Sequence, residues 1–214
     1  MRKKNIIVLI CVLAGIIGIY KIADYYLQYR NFQKTSLAIM KYRNAIKYDS
    51  TNVDAYFHMA ETYAEIHMPD SAIANYNAVI LLNSNYPYVY LFKGMFLYDK
   101  LHQSDSAIAT FKTAIKIKPD EIESYSWLAM IYQDIQKPDS ALKYINIAIS
   151  RDSAFSSKYL MKGGIFITRG NIYNELKQDQ KAISDFKTAV DMGWKPGSKR
   201  LKELYNIDYP VKKE

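Results

Sequence analysis

The 214-residue chain is poor in the residues that usually announce chemistry. It has one cysteine, Cys11, so neither a disulfide framework nor a cysteine-based metal cluster can form within one chain. Its three histidines, His58, His67 and His102, lack metal-ligand spacing and read as surface or packing residues. No glycine-rich phosphate loop, G-x-S-x-G elbow or zinc motif occurs, and Gly163, Gly164 and Gly170 are too sparse for a dinucleotide fingerprint. Nothing argues for an enzyme, a cofactor, a metal or a small-molecule substrate. Only 8 glycines and 6 prolines, in a chain that is half hydrophobic, also exclude disorder.

The net charge of +8 resembles a nucleic-acid signal until it is divided along the chain. Residues 1–52 carry +7, residues 53–194 carry −2, and residues 195–214 carry +3. A slightly acidic body with basic ends fits a membrane-flanking segment and a solvated tail, not a groove that tracks phosphates. No nucleic-acid partner is expected.

Arg2, Lys3 and Lys4 precede an uncharged run from Ile6 to Tyr20. Fifteen helical residues span about 22 Å, short of the roughly 30 Å hydrocarbon core. Lys21 can snorkel, which lets Ile22 and Ala23 extend the run, and Tyr20, Tyr25, Tyr26 and Tyr29 fall where an interfacial aromatic belt sits. A cleaved signal peptide shares the basic start and apolar stretch, but Ala23 has Lys21 two places before it where a small residue is needed. Leu9 and Ile10 likewise spoil a lipoprotein site at Cys11. The expectation is a single-pass anchor over residues 1–23. The tight N-terminal cation cluster places the body outside the cytoplasm.

Beyond the anchor the chain repeats itself. "MPDSAIANY", "QSDSAIATF" and "KPDSALKYI" begin at Met68, Gln103 and Lys137. Aligned on their alanine, five copies place Ala38, Ala72, Ala107, Ala141 and Ala182 at intervals of 34, 35, 34 and 41. Four residues on come Tyr42, Tyr76, Phe111, Ile145 and Phe186; three more bring Ala45, Val79, Ala114, Ala148 and Ala189. Steps of four and three keep these on one helical face. Upstream, a second helical face shows Tyr56, Ala60, Tyr63; Tyr90, Gly94, Leu97; Tyr125, Ala129, Tyr132; and Phe166, Gly170, Tyr173. Small residues at both alignments let two backbones approach while rings fill the space beside the crossing.

This pattern resembles the tetratricopeptide repeat, a 34-residue helix–turn–helix with small residues at its crossing and often a closing proline. Leu128, Ala129, Tyr132, Ala141 and Ala148 match closely, as do Ala107, Phe111, Ala114 and Pro119. The resemblance implies an all-α, right-handed α-solenoid of about five repeats over 24–194, the units lying near 19–52, 53–86, 87–121, 122–155 and 156–194. Pro119 is the only closing proline, and the last interval is seven residues too long. Ser156 to about Leu176 reads as one long first helix, with Gly163 and Gly164 a weak point. In "PDSA", Pro69 and Pro138 suit the first helical position, Asp70, Asp105 and Asp139 face the helix dipole, and Ser71, Ser106 and Ser140 are expected to help satisfy free backbone donors. Residues 195–214 form a cap helix, Ser198 to Tyr205, and a tail.

In tetratricopeptide domains the first helices line a concave groove for a peptide or a partner's helix. By that resemblance the groove positions are Asp54, Phe57, Glu61 and Glu65, then Tyr88, Met95, Tyr98 and Asp99. Next come Glu123, Trp127, Met130 and Asp134, and finally Asn171, Asn174 and Glu175. The set is acidic and aromatic, unlike the basic clamp by which some family members grip acidic C-termini. It suits a basic or amphipathic segment of another protein. The expected role is a membrane-tethered, non-catalytic scaffold. The other readings are a secreted or periplasmic chaperone-like binder with a cleaved leader, and a regulatory subunit of an enzyme complex.

Overall fold

A computed structural model describes residues 2–86, 88–151 and 163–210, with the side chains of α1 described only from Tyr20 onward and not at 22–24, 28 and 31. Those residues form ten α-helices. Two compact units divide them. Unit 1, to Ser84, holds α1 (Arg2–Tyr48), α2 (Val53–Glu65) and α3 (Pro69–Leu82). Unit 2, from Asn85, holds α4 (Val89–Asp99), α5 (Ser104–Ile117), α6 (Ile122–Asp134), α7 (Pro138–Arg151), α8 (Gly164–Glu175), α9 (Asp179–Asp191) and α10 (Pro196–Tyr205).

The principal contacts pair each first helix with the second helix that follows it: α2 with α3, α4 with α5, α6 with α7, and α8 with α9. Ala60, Ala129, Ala72, Ala107, Ala141 and Ala182 are all 0 % exposed at these crossings. Gly94 and Gly170 take the place of alanine where the opposing ring comes nearest, since an added Cβ would lie 2.8 Å from Phe111 and 2.6 Å from Phe186. Within unit 2, second helices pack on the next first helix, α5 on α6 and α7 on α8. The core formed by Tyr125, Ala129, Ile145, Ala148, Phe166, Ile172 and Ala189 therefore runs through several pairs. Leu201 of α10 closes the end, fully buried against Ala182, Phe186 and Val190.

Each pair turns through one left-handed residue, at His67, His102, Gln136 and Lys177, with φ of 58°, 53°, 56° and 58°. The next backbone N–H then reaches back five or six residues, as from Met68 to the Tyr63 carbonyl at 2.9 Å and from Gln103 to that of Leu97 at 2.9 Å. These bonds satisfy carbonyls that the helix end leaves open. Two of the three histidines are thus turn residues. The third, His58, has its Nδ1 2.9 Å from Glu61 Oε2 and stacks on Tyr42.

Three expectations change. α1 is continuous over 47 residues, so the first unit has no turn between two helices. Lys34-Thr35-Ser36 stands where other copies carry a turn, and no glycine or proline interrupts residues 19–68. Ser71 and Ser106 do not cap: α3 and α5 begin after Met68 and Gln103 with no side-chain cap bond, which leaves both serines inside the first turn. The last first helix does not run through Gly163, which sits at φ 86° and starts α8; the rest of the expected Ser156 extension lies outside the described residues. Among the described residues no helix is long and apolar enough to cross a membrane. The anchor expected over 1–23 falls almost wholly on side chains outside that description.

Candidate partner-binding face

Within unit 2 the first helices α4, α6 and α8 lie side by side. Their C-terminal ends are stitched by a repeating polar bond. The Tyr98 hydroxyl donates to Asp134 Oδ2, and the Gln133 amide donates to Glu175 Oε1. In each case the residue four places after the small crossing residue reaches the acid of the next first helix. The series ends where the Tyr205 hydroxyl of α10 donates to Asn174 Oδ1 at 2.9 Å. Asp134, Asn174 and Glu175, expected to face a partner, thus have structural work already.

Beside this stitch lies an aromatic cluster. Trp127 is half-buried, with its ring plane 4° from that of Phe111 at 6.1 Å and Tyr98 edge-on at 6.2 Å. Met130 is 39 % exposed, while Met95 and Asn171 are half-buried. Asp99 is exposed at the end of α4, and partial burial raises its carboxyl pKa against the opposing pull of Lys100 and His102. Tyr88 precedes α4 in a left-handed conformation, with the Lys118 ammonium 4.9 Å from its ring centre. Tyr98, Trp127, Met130, Asp99 and Asp134 are therefore neighbours on α4 and α6.

Other expected positions do not face outward. Glu123 is 7 % exposed, within a run from Glu121 to Ser126 that is buried throughout. Phe57, on α2 in unit 1, is also 7 % exposed, packed edge-on to Tyr76 at 6.2 Å. Phe57 belongs to the core because its ring meets Tyr76 of the paired helix α3. Asp54 and Glu65 are exposed and Glu61 is half-buried.

Two features escaped the sequence reading. An open cavity of about 480 Å³ in unit 1 is lined by Lys34, Thr35 and Ala38 of α1 and by Thr62, Glu65 and Ile66. A second, of about 560 Å³, lies among Lys195, Pro196, Lys199, Arg200 and Glu203 around α10. Its residues fall in the segment 195–214 that reads as a cap helix, Ser198 to Tyr205, and a tail. Among the described residues no group of three or more His, Cys, Asp or Glu could hold a metal ion.

A stack of helix–turn–helix pairs, crossed at small residues and sharing a face of first helices, defines a helical-repeat protein. Residues 87–121, 122–155 and 164–192 match the family model of the tetratricopeptide repeat, so the chain carries such repeats there. Among solved structures the fold is similar to that of MamA, at 22 % identity and TM-score 0.65 over 78 % of this chain and 93 % of that one. It is also similar to PilF of Pseudomonas aeruginosa, at 16 % identity and TM-score 0.62 over 84 % and 88 %. A third is YrrB, a TPR protein with an unusual peptide-binding site, at 19 % identity and TM-score 0.58 over 75 % and 78 %. At these identities the likeness concerns the fold alone. No curated protein matches the sequence significantly.

Proposed function

We propose that the protein is a non-catalytic scaffold that holds a basic or amphipathic segment of another protein on the face formed by α4 and α6, close to a membrane that its N-terminus enters. The observation that carries the contact face is Met130, 39 % exposed beside half-buried Trp127 and Tyr98, with exposed Asp99 at its edge. Stacking and the Tyr98–Asp134 bond hold these rings in place, so little ordering is lost when a partner docks. The acids favour a cationic segment and disfavour an acidic one. The peptide-binding site of the similarly folded YrrB is consistent with this mode.

The tether rests on the uncharged run Ile6–Tyr20 behind Arg2, Lys3 and Lys4, with the repeats on the extracytoplasmic side. Tyr20, at the end of that run, and Tyr25, Tyr26 and Tyr29 beyond it, 51–72 % exposed, suit the headgroup region. Confinement raises the effective concentration of a membrane-associated partner without any new contact.

The test places a photo-crosslinking amino acid at Met130 and, as a control, at exposed Lys143 on α7. The Met130 probe is expected to capture a protein through a basic or amphipathic segment, and Asp99→Lys to reduce the yield several-fold. Equal capture at both positions removes the face, and release of the protein by alkaline carbonate removes the tether.

A further inference from the structure

Every second helix from α3 onward is crossed by the first helix that precedes it; α1 is the exception. At these crossings Ala72, Tyr76 and Val79 are 0–2 % exposed, and the corresponding residues of α5, α7 and α9 are 0–4 % exposed. In α1 the same register is Ala38, Tyr42 and Ala45, and all three are only half-buried. The rings show why. Phe111 has two neighbours: Gly94 of its own first helix, where an added Cβ would lie 2.8 Å away, and Trp127 of the next one, stacked at 6.1 Å. Tyr42 has the counterpart of the second, His58 of α2 at 5.7 Å. On the side of the first, no separate helix is present among the described residues, because α1 runs through without a turn. The cavity lined by Lys34, Thr35, Ala38, Thr62, Glu65 and Ile66 opens beside it.

We infer that this flank of unit 1 is a second interaction surface, distinct from the α4–α6 face, and that it accepts an amphipathic helix of another protein as the first helix the array lacks. The chain's own first helices define the chemistry. Each has an aromatic residue, then alanine or glycine four places on, then tyrosine or leucine three further: Tyr56, Ala60, Tyr63, or Tyr125, Ala129, Tyr132. A helix with that pattern sets its small residue over Ala38 and its rings beside Tyr42 and Ala45, completing burial continuous with the α1–α2 interface. A polar match accompanies the apolar one. Tyr98 and Gln133, each four places after the small residue, donate to the acid of the following first helix. Glu65 is the acid in that register on α2, and it is exposed in the cavity wall. The partner helix therefore carries a tyrosine, glutamine or lysine four residues after its small residue. The first helices of a second copy, α2, α4, α6 and α8, are each already crossed by their own second helix.

The probe is a helix-stapled, fluorescein-labelled peptide of residues 122–134, which carries Tyr125, Ala129 and Gln133 in this register. It is titrated into the full-length protein in nanodiscs and followed by fluorescence anisotropy. Saturable binding is expected, weakened tenfold or more both by Ala38→Trp and by Lys34→Trp, and abolished when the peptide carries Ala129→Leu. Lys34 is exposed, so its substitution obstructs the cavity without disturbing a buried contact, and circular dichroism checks both folds. No binding to the unaltered protein overturns the inference, as does a smaller effect of either tryptophan. A dimer in light scattering that Ala38→Trp converts to monomer overturns it too, by assigning the flank to a second copy.

Discussion

Gly94→Ala sets helix propensity against packing at one atom. Replacing glycine inside a helix by alanine gains about 0.8–1.0 kcal/mol. The added Cβ, however, would lie 2.8 Å from two atoms of the Phe111 ring and 3.0 Å from a third. Carbon pairs are at their best near roughly 3.5–4.0 Å, and forcing a methyl into a filled core costs about 1–3 kcal/mol. Phe111 is 0 % exposed and its other side is stacked on Trp127, so the ring has no room to retreat. The packing cost wins over nearly all of that range, with a net loss of up to about 2 kcal/mol. That corresponds to a fall in Tm of up to roughly 8 °C for a chain of this size. The next repeat shows the remedy, pairing Ala129 with Ile145 at the same two positions, both 0 % exposed. Phe111→Ile alone gives up the stack and buried area, for about 1–3 kcal/mol. In the double variant the new methyl occupies space the ring has left, so the two losses overlap by about 1–2 kcal/mol. Urea unfolding followed by far-UV circular dichroism on all four proteins measures this coupling. Additivity within about 0.5 kcal/mol refutes the reasoning, and so does a Gly94→Ala protein more stable than its parent.

Two further sites test the packing of unit 2. Arg169 donates from Nε and Nη2 to the two Asp185 oxygens at 2.7 Å each, and from Nη1 to Asn146 at 3.0 Å, joining α8, α9 and α7. Asp185 is nearly fully buried, so Asp185→Ala leaves a half-buried guanidinium without its carboxylate and is expected to cost about 3–5 kcal/mol in thermal unfolding; a loss under 1 kcal/mol refutes the pair's role. Glu121 is 9 % exposed, with Oε2 accepting from Ser124 and Oε1 unpaired. Burial raises its carboxyl above the ordinary 4.5, with Glu123 adding to the rise while the Ser124 bond and Lys118 oppose it. A raised folded-state pKa means this stability is fully present below 4.5 and is lost as pH rises through the raised value. Glu121→Gln is therefore expected to flatten the fall of Tm with pH between 4.5 and that raised value, and parallel curves for the two proteins refute the assignment.

Period and small-residue register were legible because they serve one physical demand, two backbones meeting at Ala72, Ala107, Ala141 or Ala182. The turns were not. Their left-handed residues are His67, His102, Gln136 and Lys177, none of them glycine, so no composition signal marks the position. Ser71 and Ser106 misled in the opposite way: good cap residues by type, they stand beyond the cap because the preceding turn, not a side chain, sets the helix start. The contact face was legible only in part. Helical periodicity cannot tell an acid facing solvent, such as Asp99, from one bonded to the next helix, such as Asp134. Nor does it reveal that Glu123 is buried, which depends on what packs over the first turn of α6.

The missing turn in the first unit bears on function as well as on fold. A helix–turn–helix there would complete the array but break the rod; α1 instead runs unbroken from Arg2 to Tyr48. Were the N-terminus joined to the repeats by a flexible linker, their separation from the membrane would spread with the square root of linker length. A helix at about 1.5 Å per residue fixes it: from Tyr20, at the end of the uncharged run, to Ala38 is about 27 Å along the axis. With the tether of the proposed function in place, the open flank at Ala38 and Tyr42 is held at one height above the bilayer surface. A partner helix anchored in the same membrane then meets that flank within a narrow range of distances, which is where effective concentration is greatest. The continuity that leaves the first crossing uncovered is thus the same continuity that presents it at a set distance.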